Sequence, residues 1–437
     1  MSMPSKKINI ITLGCAKNQV DSESLLSQLE GNSLEITPDI SDASIAVINT
    51  CGFIDEAKRQ SVEAILETVR LKNEGKLEKV IVMGCLSERY HNDLVNEIPE
   101  VDRFFGTNDV AQIVNELGGN YKYELLGERS LLSHTYSAYV KISEGCDNPC
   151  SFCAIPMMRG GHRSKPVEQI MDEVMRLVRK GVKELIVIGQ DTTYYGLDLY
   201  GKRTLPSLLH SLASVKELEW VRLMYAYPAK FPLDILEAFQ EHPNICRYLD
   251  MPVQHASDRV LKSMRRGITR RATESLIGSI RKSVPDIALR TTLIVGYPNE
   301  TERDVEELID FIKTVRFDRL GVFIYSQEDE TGAFDLGDPI PQDEKEARRA
   351  LIMDVQKEIS CEQNEGRIGK TTRAVVERCD DGVYVGTTEW DAPEIDNEIF
   401  ITPPLGRHLS VGEFVGVRIS DAAEFDVYGE VVGVPQQ

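Results

Sequence analysis

Short apolar runs alternate with stretches of helical period through the first three quarters of the chain. Ile8–Leu13, Ser44–Ile48 and Lys79–Met83 read as strands, and Asp21–Leu29, Asp55–Asn73 and the segment near Asp93–Ile98 as helices. Strands alternating with helices predict a parallel α/β sheet. The pattern weakens around Glu116–Ser133, which marks a boundary. A second alternation begins at Tyr139, with strands at Tyr139–Ser143, Glu184–Gly189, Trp220–Tyr225, Tyr248–Pro252, Ala288–Val295 and Arg319–Tyr325. Helices are expected between them at Val167–Lys180, Leu205–Ala213, Leu233–Phe239, Arg270–Val284 and Glu302–Val315. Six such repeats predict a partial or full (β/α) barrel, with its site at the C-terminal ends of the strands. An open doubly wound sheet is the alternative. Asp343–Glu365 reads as a charged helical connector. Beyond Ile368, TTRAVVER, DGVYVGTTEW, EIFITPP and EFVGVRISDA are short strands divided by Gly, Pro and Asp, as in a small five-stranded barrel. The expected domains are 1–125, 132–362 and 363–437.

Composition adds exclusions. With 437 residues, 42% hydrophobic and 27% charged, the chain is neither disordered nor fibrous. No apolar run approaches the ~18 residues of a membrane span. The apolar stretch before Gly14 and Cys15 is too short for a signal peptide, so a cytoplasmic protein is expected. Seventy acids against fifty Lys and Arg give a net charge of −20. That excess argues against nucleic acid held mainly through phosphates and fits a basic partner, although solubility accounts for it equally. The imbalance is strong from Ile368 to Gln437, where thirteen acids face five bases. Such a barrel is a poor phosphate receptor and suits docking of a basic protein.

Nine cysteines in a cytoplasmic chain point to metal or catalytic use before disulfides. Three of them form a tight loop, Cys146-Asp-Asn-Pro-Cys150-Ser-Phe-Cys153, just after the strand Tyr139–Ser143. Three thiolates on a four-iron cluster leave one iron open to a small ligand. A zinc knuckle or unrelated thiols are the competing readings. Cys15, Cys51 and Cys85 are far apart in sequence, yet each lies just beyond the end of a predicted strand: IITLG-Cys15, AVINT-Cys51 and VIVMG-Cys85. In a parallel sheet those ends share one edge, where ligands bind, so the three thiols can converge on a second cluster. Burial of three separate core cysteines is the alternative. Cys246, Cys361 and Cys379 lack such an arrangement and read as structural.

The C-x3-C-x2-C loop resembles that of radical S-adenosylmethionine (SAM) enzymes. In that family the open iron binds SAM, and reductive cleavage yields a radical that abstracts a substrate hydrogen. The resemblance implies a radical SAM partial barrel. It implies SAM contacts at Gln190 and Asp191 after the second strand, where this chain departs from the family's commoner Gly-Gly-Glu, and at Gly296 after the fifth. Arg290, Gln254 and His255 are placed at the barrel mouth. The segments Leu13-Gly14-Cys15-Ala16-Lys17-Asn18, Asn49-Thr50-Cys51-Gly52-Phe53-Ile54 and Met83-Gly84-Cys85 resemble the N-terminal domain of methylthiotransferases, and the terminal barrel resembles their TRAM domain. GCAKNQVDSE, TCGFIDEAKRQS and DAPEIDNEIF are similar to the group that modifies an aspartate of small-subunit ribosomal protein twelve. The resemblance implies two 4Fe-4S clusters, one held by Cys146, Cys150 and Cys153 and an auxiliary one by Cys15, Cys51 and Cys85. It also implies two SAM molecules per turnover, an electron donor of ferredoxin or flavodoxin type, and a basic ribosomal protein as substrate. A tRNA adenosine methylthiotransferase shares every catalytic part and is the runner-up. A non-catalytic iron–sulfur carrier or scaffold is the alternative of another class.

Overall fold

The computed structural model describes residues 6–433; the opening MSMPS and the domain ends expected at 1–5 and 434–437 lie outside the described residues. Strands β1 (Lys7–Thr12), β2 (Glu35–Ile36), β3 (Ile45–Thr50), β4 (Lys79–Gly84) and β5 (Arg103–Phe104) form a parallel sheet in the order β2-β1-β3-β4-β5. β3 is buried at all six positions, which is why it reads as an unbroken apolar run. β1 and β4 flank it in register, Ile11 opposite Ile48 and Ile48 opposite Val82. Their C-terminal ends therefore lie side by side.

β6 (Ser137–Lys141) opens the second unit. A short antiparallel pair, β7 (Ser143–Glu144) with β8 (Arg163–Ser164), clamps the two ends of the cysteine loop. β9 (Glu184–Ile188), β10 (Trp220–Leu223), β11 (Ile245–Asp250), β12 (Ala288–Val295) and β13 (Arg319–Ile324) follow β6 in a parallel sheet ordered as in the sequence. A doubly wound sheet requires a reversal of strand order, so sequential order selects the partial barrel. Side chains alternate across it: Val221 and Leu223 join the helix-facing core, while Trp220 and Met224 face the other way.

Helix Gln342–Glu365 is more than a connector. Lys345, Arg348, Ile352, Gln356, Ile359 and Asn364 are buried along it, and Gln356 Nε2 donates to the Phe317 carbonyl at 2.9 Å. It covers the edge at β13, where unpaired backbone would otherwise be exposed. β14 (Thr371–Asp380), β15 (Val383–Thr388), β16 (Ile399–Thr402), β17 (Phe414–Ala422) and β18 (Val427–Gly433) close into a barrel, β14-β15-β16-β18-β17.

That barrel is seated on the foot of the partial barrel. Buried Arg222 pairs with Glu184 at 3.1 Å and donates to the Glu389 carbonyl at 2.9 Å. Tyr248 Oη donates to Asp396 at 2.7 Å, Arg290 Nε to Asp396 at 3.1 Å, and Arg319 to Asp391. Trp220 meets Phe414 edge-on at 4.9 Å between centroids. The segment from Thr388 to Asp396 thus stoppers the barrel at the N-terminal ends of its strands. Arg290, expected at the mouth, lies on this side because its guanidinium is held by Asp250 and Asp396.

Glu377 lies beside this seam, accepting a hydrogen bond from Thr387 Oγ1 at 2.9 Å. Burial pushes its carboxyl up to about 7 from an ordinary 4.5. A raised acid favours the folded state below its unfolded pKa, and that advantage is lost as pH rises through about 7. Glu377→Gln is therefore expected to be more stable than the parent by ~3 kcal/mol at pH 8 and equal to it at pH 4, in paired denaturant titrations.

Candidate functional site

Each of the three distant cysteines follows a strand end. Cys15 precedes helix Ala16–Gly31, Cys51 follows β3, and Cys85 begins helix Cys85–Arg89. Gly14 and Gly84 turn the chain there with φ of 93° and 101°. At Gly14 a Cβ would sit 2.6 Å from Cys51 Cβ and 3.0 Å from its sulfur, so only glycine lets the chain before Cys15 pass this close to Cys51. Asn18 ties the three ends together. Its Nδ2 donates to the Leu13 and Thr50 carbonyls at 2.8 and 3.0 Å, and its Oδ1 lies 3.7 Å from Cys85 Sγ.

The loop Cys146–Cys153 lies at the mouth of the partial barrel. Cys150 Sγ is 3.3 Å from Arg266 Nη1 and 3.7 Å from Tyr227 Oη. Helix Ile155–Arg159 carries the chain from this loop to the other trio: Cys85, Ala154 and Met158 share one small buried cluster. Cys85 is therefore packed against the residue that directly follows Cys153.

Burial pushes the thiols up, Cys146 to about 11 and Cys153 and Cys85 to about 12, and Cys51 also upward. Metal binding here must expel protons, which makes loading pH-dependent. Among the described residues, the ligand-type atoms within 4.8 Å of one another belong to His210, Glu241 and His242, on the outer helical layer. Neither cysteine trio has all three sulfurs within 4.8 Å of one another, so neither is drawn together as a single tetrahedral zinc would require. A four-iron cluster, on which each thiolate takes its own iron, makes no such demand.

Of the polar residues expected at the mouth, Gln190 and Gln254 each keep a buried acceptor without a partner. Gln190 Nε2 donates to Glu144 at 3.1 Å, while its Oε1 is buried without a partner in the chain. Ser143 Oγ and Gln254 Oε1 are similarly unpartnered, and Gln254 holds the left-handed conformation with φ 72°. Tyr225, at the end of β10, does the same with φ 60°, and Lys17 Nζ sits over its ring at 3.1 Å. Strained non-glycine residues grouped at strand ends mark a site that the surrounding structure enforces. Asp191 is engaged within the chain, one oxygen capping Thr193 and the other accepting from Asn148 of the cysteine loop at 2.8 Å. Gly296 is required by packing: a Cβ would sit 2.4 Å from Lys345 Cγ. His255 is buried against Glu300 at 3.3 Å. Asn18, Lys17 and Tyr225 are site residues that no apolar pattern picks out, although the first two belong to the first cysteine motif.

Family models match in three places: the Radical SAM superfamily over residues 140–312, the Uncharacterized protein family UPF0004 over 7–106 and the TRAM domain over 368–432. The chain is 51% identical over 428 residues to the ribosomal protein uS12 methylthiotransferase RimO of Cytophaga hutchinsonii, covering 98% of each. It is also 51% identical to the RimO of Chloroherpeton thalassium, covering 99% of this chain and all of that one. The chain belongs to the uS12 methylthiotransferase family. Membership in the radical SAM superfamily brings SAM and a 4Fe-4S cluster as cofactors. Among solved structures, the radical SAM methyltransferase TsrM of Kitasatospora setae aligns with a TM-score of 0.57 at 13% identity, covering 76% of this chain and 75% of that one. At that identity the likeness supports the fold of this uS12 methylthiotransferase family member.

Proposed function

We propose that this protein transfers a methylthio group to the β-carbon of an aspartate in ribosomal protein uS12. The observation that carries the reading is the packing of Cys85, one of three cysteines at neighbouring strand ends, against Ala154 and Met158, which follow the Cys146–Cys153 loop directly. An aspartate β C–H bond is unactivated, and no side chain at the mouth is a base strong enough to remove its proton. The cofactors supply what the side chains lack: a radical able to break that bond and sulfur to replace the hydrogen.

In this assignment residues 1–125 hold the auxiliary cluster through Cys15, Cys51 and Cys85, and residues 132–362 hold the SAM-binding cluster through Cys146, Cys150 and Cys153. Two SAM molecules serve each turnover. Gln190 Oε1 faces a ligand donor, Asp191 steadies the cysteine loop through Asn148, and Gly296 admits helix Gln342–Glu365 behind the site. Residues 363–437 are the third domain; its segment Thr388–Asp396 stoppers the foot, and its remaining exposed acids, Asp381, Glu394 and Asp421 among them, meet the basic substrate. An electron donor of ferredoxin or flavodoxin type supplies reduction.

The test is a competition. Reconstituted enzyme, SAM, sulfide and reductant are given unmodified uS12 and unmodified tRNA together, and both are read by mass spectrometry. A methylthio mass gain on an aspartate peptide, with tRNA unchanged, is the expected result. A gain on adenosine alone would replace the substrate, and no SAM cleavage with a fully reduced cluster would replace the enzyme reading with a carrier.

A further inference from the structure

We propose that Arg159 is a positioning residue for the sulfur-carrying site, a buried cation that sets the charge at Cys15, Cys51 and Cys85 and so the reduction potential of the group they hold. The inference rests on the assignment of those three cysteines as ligands.

Arg159 ends the short helix after the SAM-cluster loop, and its side chain is 2% exposed. Its guanidinium spans the boundary between the two units. Nη2 donates to Asn18 Oδ1 at 2.6 Å, while Nη1 donates to Asp21 and to Glu144, each at 3.0 Å. Asn18 Oδ1 is also the acceptor 3.7 Å from Cys85 Sγ, so a single atom lies between the guanidinium and the thiol. Lys141 closes the group by pairing with both Asp21 and Glu144. Glu144 in turn accepts from Gln190. A continuous polar chain thus runs from Cys85 through Asn18, Arg159 and Glu144 to Gln190 at the SAM mouth.

Two carboxylates and two cations balance within this group, so the quartet alone is neutral. Thiolate ligands bring further negative charge, and one-electron reduction adds another unit. A buried cation next to them favours the reduced state, because the attraction is little screened there. Of the two cations, Arg159 is the one that reaches the cysteine side. The planar fork suits three acceptors lying in different directions, which a lysine point charge meets only in part.

The experiment uses the full chain with Cys146, Cys150 and Cys153 replaced by alanine, reconstituted with iron and sulfide. The potential of the remaining cluster is read by electron paramagnetic resonance during redox titration. Arg159→Gln is expected to move the one-electron equilibrium at least tenfold toward the oxidised form, about 59 mV lower. Asp21→Asn, which frees positive charge, is expected to move it the other way, and Arg159→Lys to stay near the parent. If Arg159→Gln does not load iron, the upward shift in Asp21→Asn still decides. Unchanged potentials in the iron-loaded variants would reduce Arg159 to a structural role and overturn the proposal. A parent chain that takes up no iron would instead overturn the ligand assignment beneath it.

Discussion

Replacing Cys15, Cys51 or Cys85 with alanine is expected to cut methylthio transfer to uS12 by more than ~100-fold while SAM cleavage continues. Loss of an outer partner of a metal site already costs about 10–100-fold, and loss of a ligand exceeds that. The cysteines sit in different structural units, Cys51 between β3 and the Ser61 hydroxyl that holds its backbone, and Cys153 in the loop clamped by β7 and β8. Damage to one should not unmake the other. Replacing Cys146, Cys150 or Cys153 is expected to abolish both reactions. Methionine and 5′-deoxyadenosine are quantified beside the modified peptide. Cleavage lost in Cys51→Ala, with the first cluster intact by spectroscopy, would refute the division of labour.

The largest effect on stability is expected at Arg290. Its guanidinium joins Asp250 at 2.8 Å and Asp396 at 3.1 Å, with both carboxylates almost wholly buried. Arg290→Met keeps the bulk and strands two acids where water does not reach them. A loss of about 3–5 kcal/mol is expected in denaturant titrations at pH 7.5. Burial already raises the Asp396 carboxyl, so the stranded Asp396 takes up a proton as pH falls and the loss shrinks. A variant as stable as the parent at pH 7.5 would mean that the seam between the two barrels holds without this pair.

The fold was legible wherever burial was apolar. β12 and helices Asp55–Asn73 and Glu302–Val315 fall where hydrophobic period placed them. The first turn of helix Ala16–Gly31 was invisible for the opposite reason. Lys17 and Asn18 are buried there, and past the buried Val20 the polar face runs on through Asp21, Ser22 and Glu23, packed against other polar groups that include Arg129 and Arg159. Patterning registers hydrophobicity and burial as one signal, and here they part. Cys15, Cys51 and Cys85 were grouped because strand ends share an edge, a rule of topology that needs no side-chain detail, whereas Cys146, Cys150 and Cys153 stood out by their spacing alone. The terminal barrel's charge misled in part. A count treats Asp391 and Asp396 as free for a partner, yet both are spent on Arg319 and Arg290. Pairing across more than seventy residues leaves no local trace in the sequence.

The segment from Thr388 to Asp396 occupies the foot of the partial barrel, where Arg222, Tyr248, Arg290 and Arg319 hold it. No ligand passes through the sheet from that end, so the two domains after the first cysteine domain divide the work by position: one end of the strands is a doorway and the other is masonry.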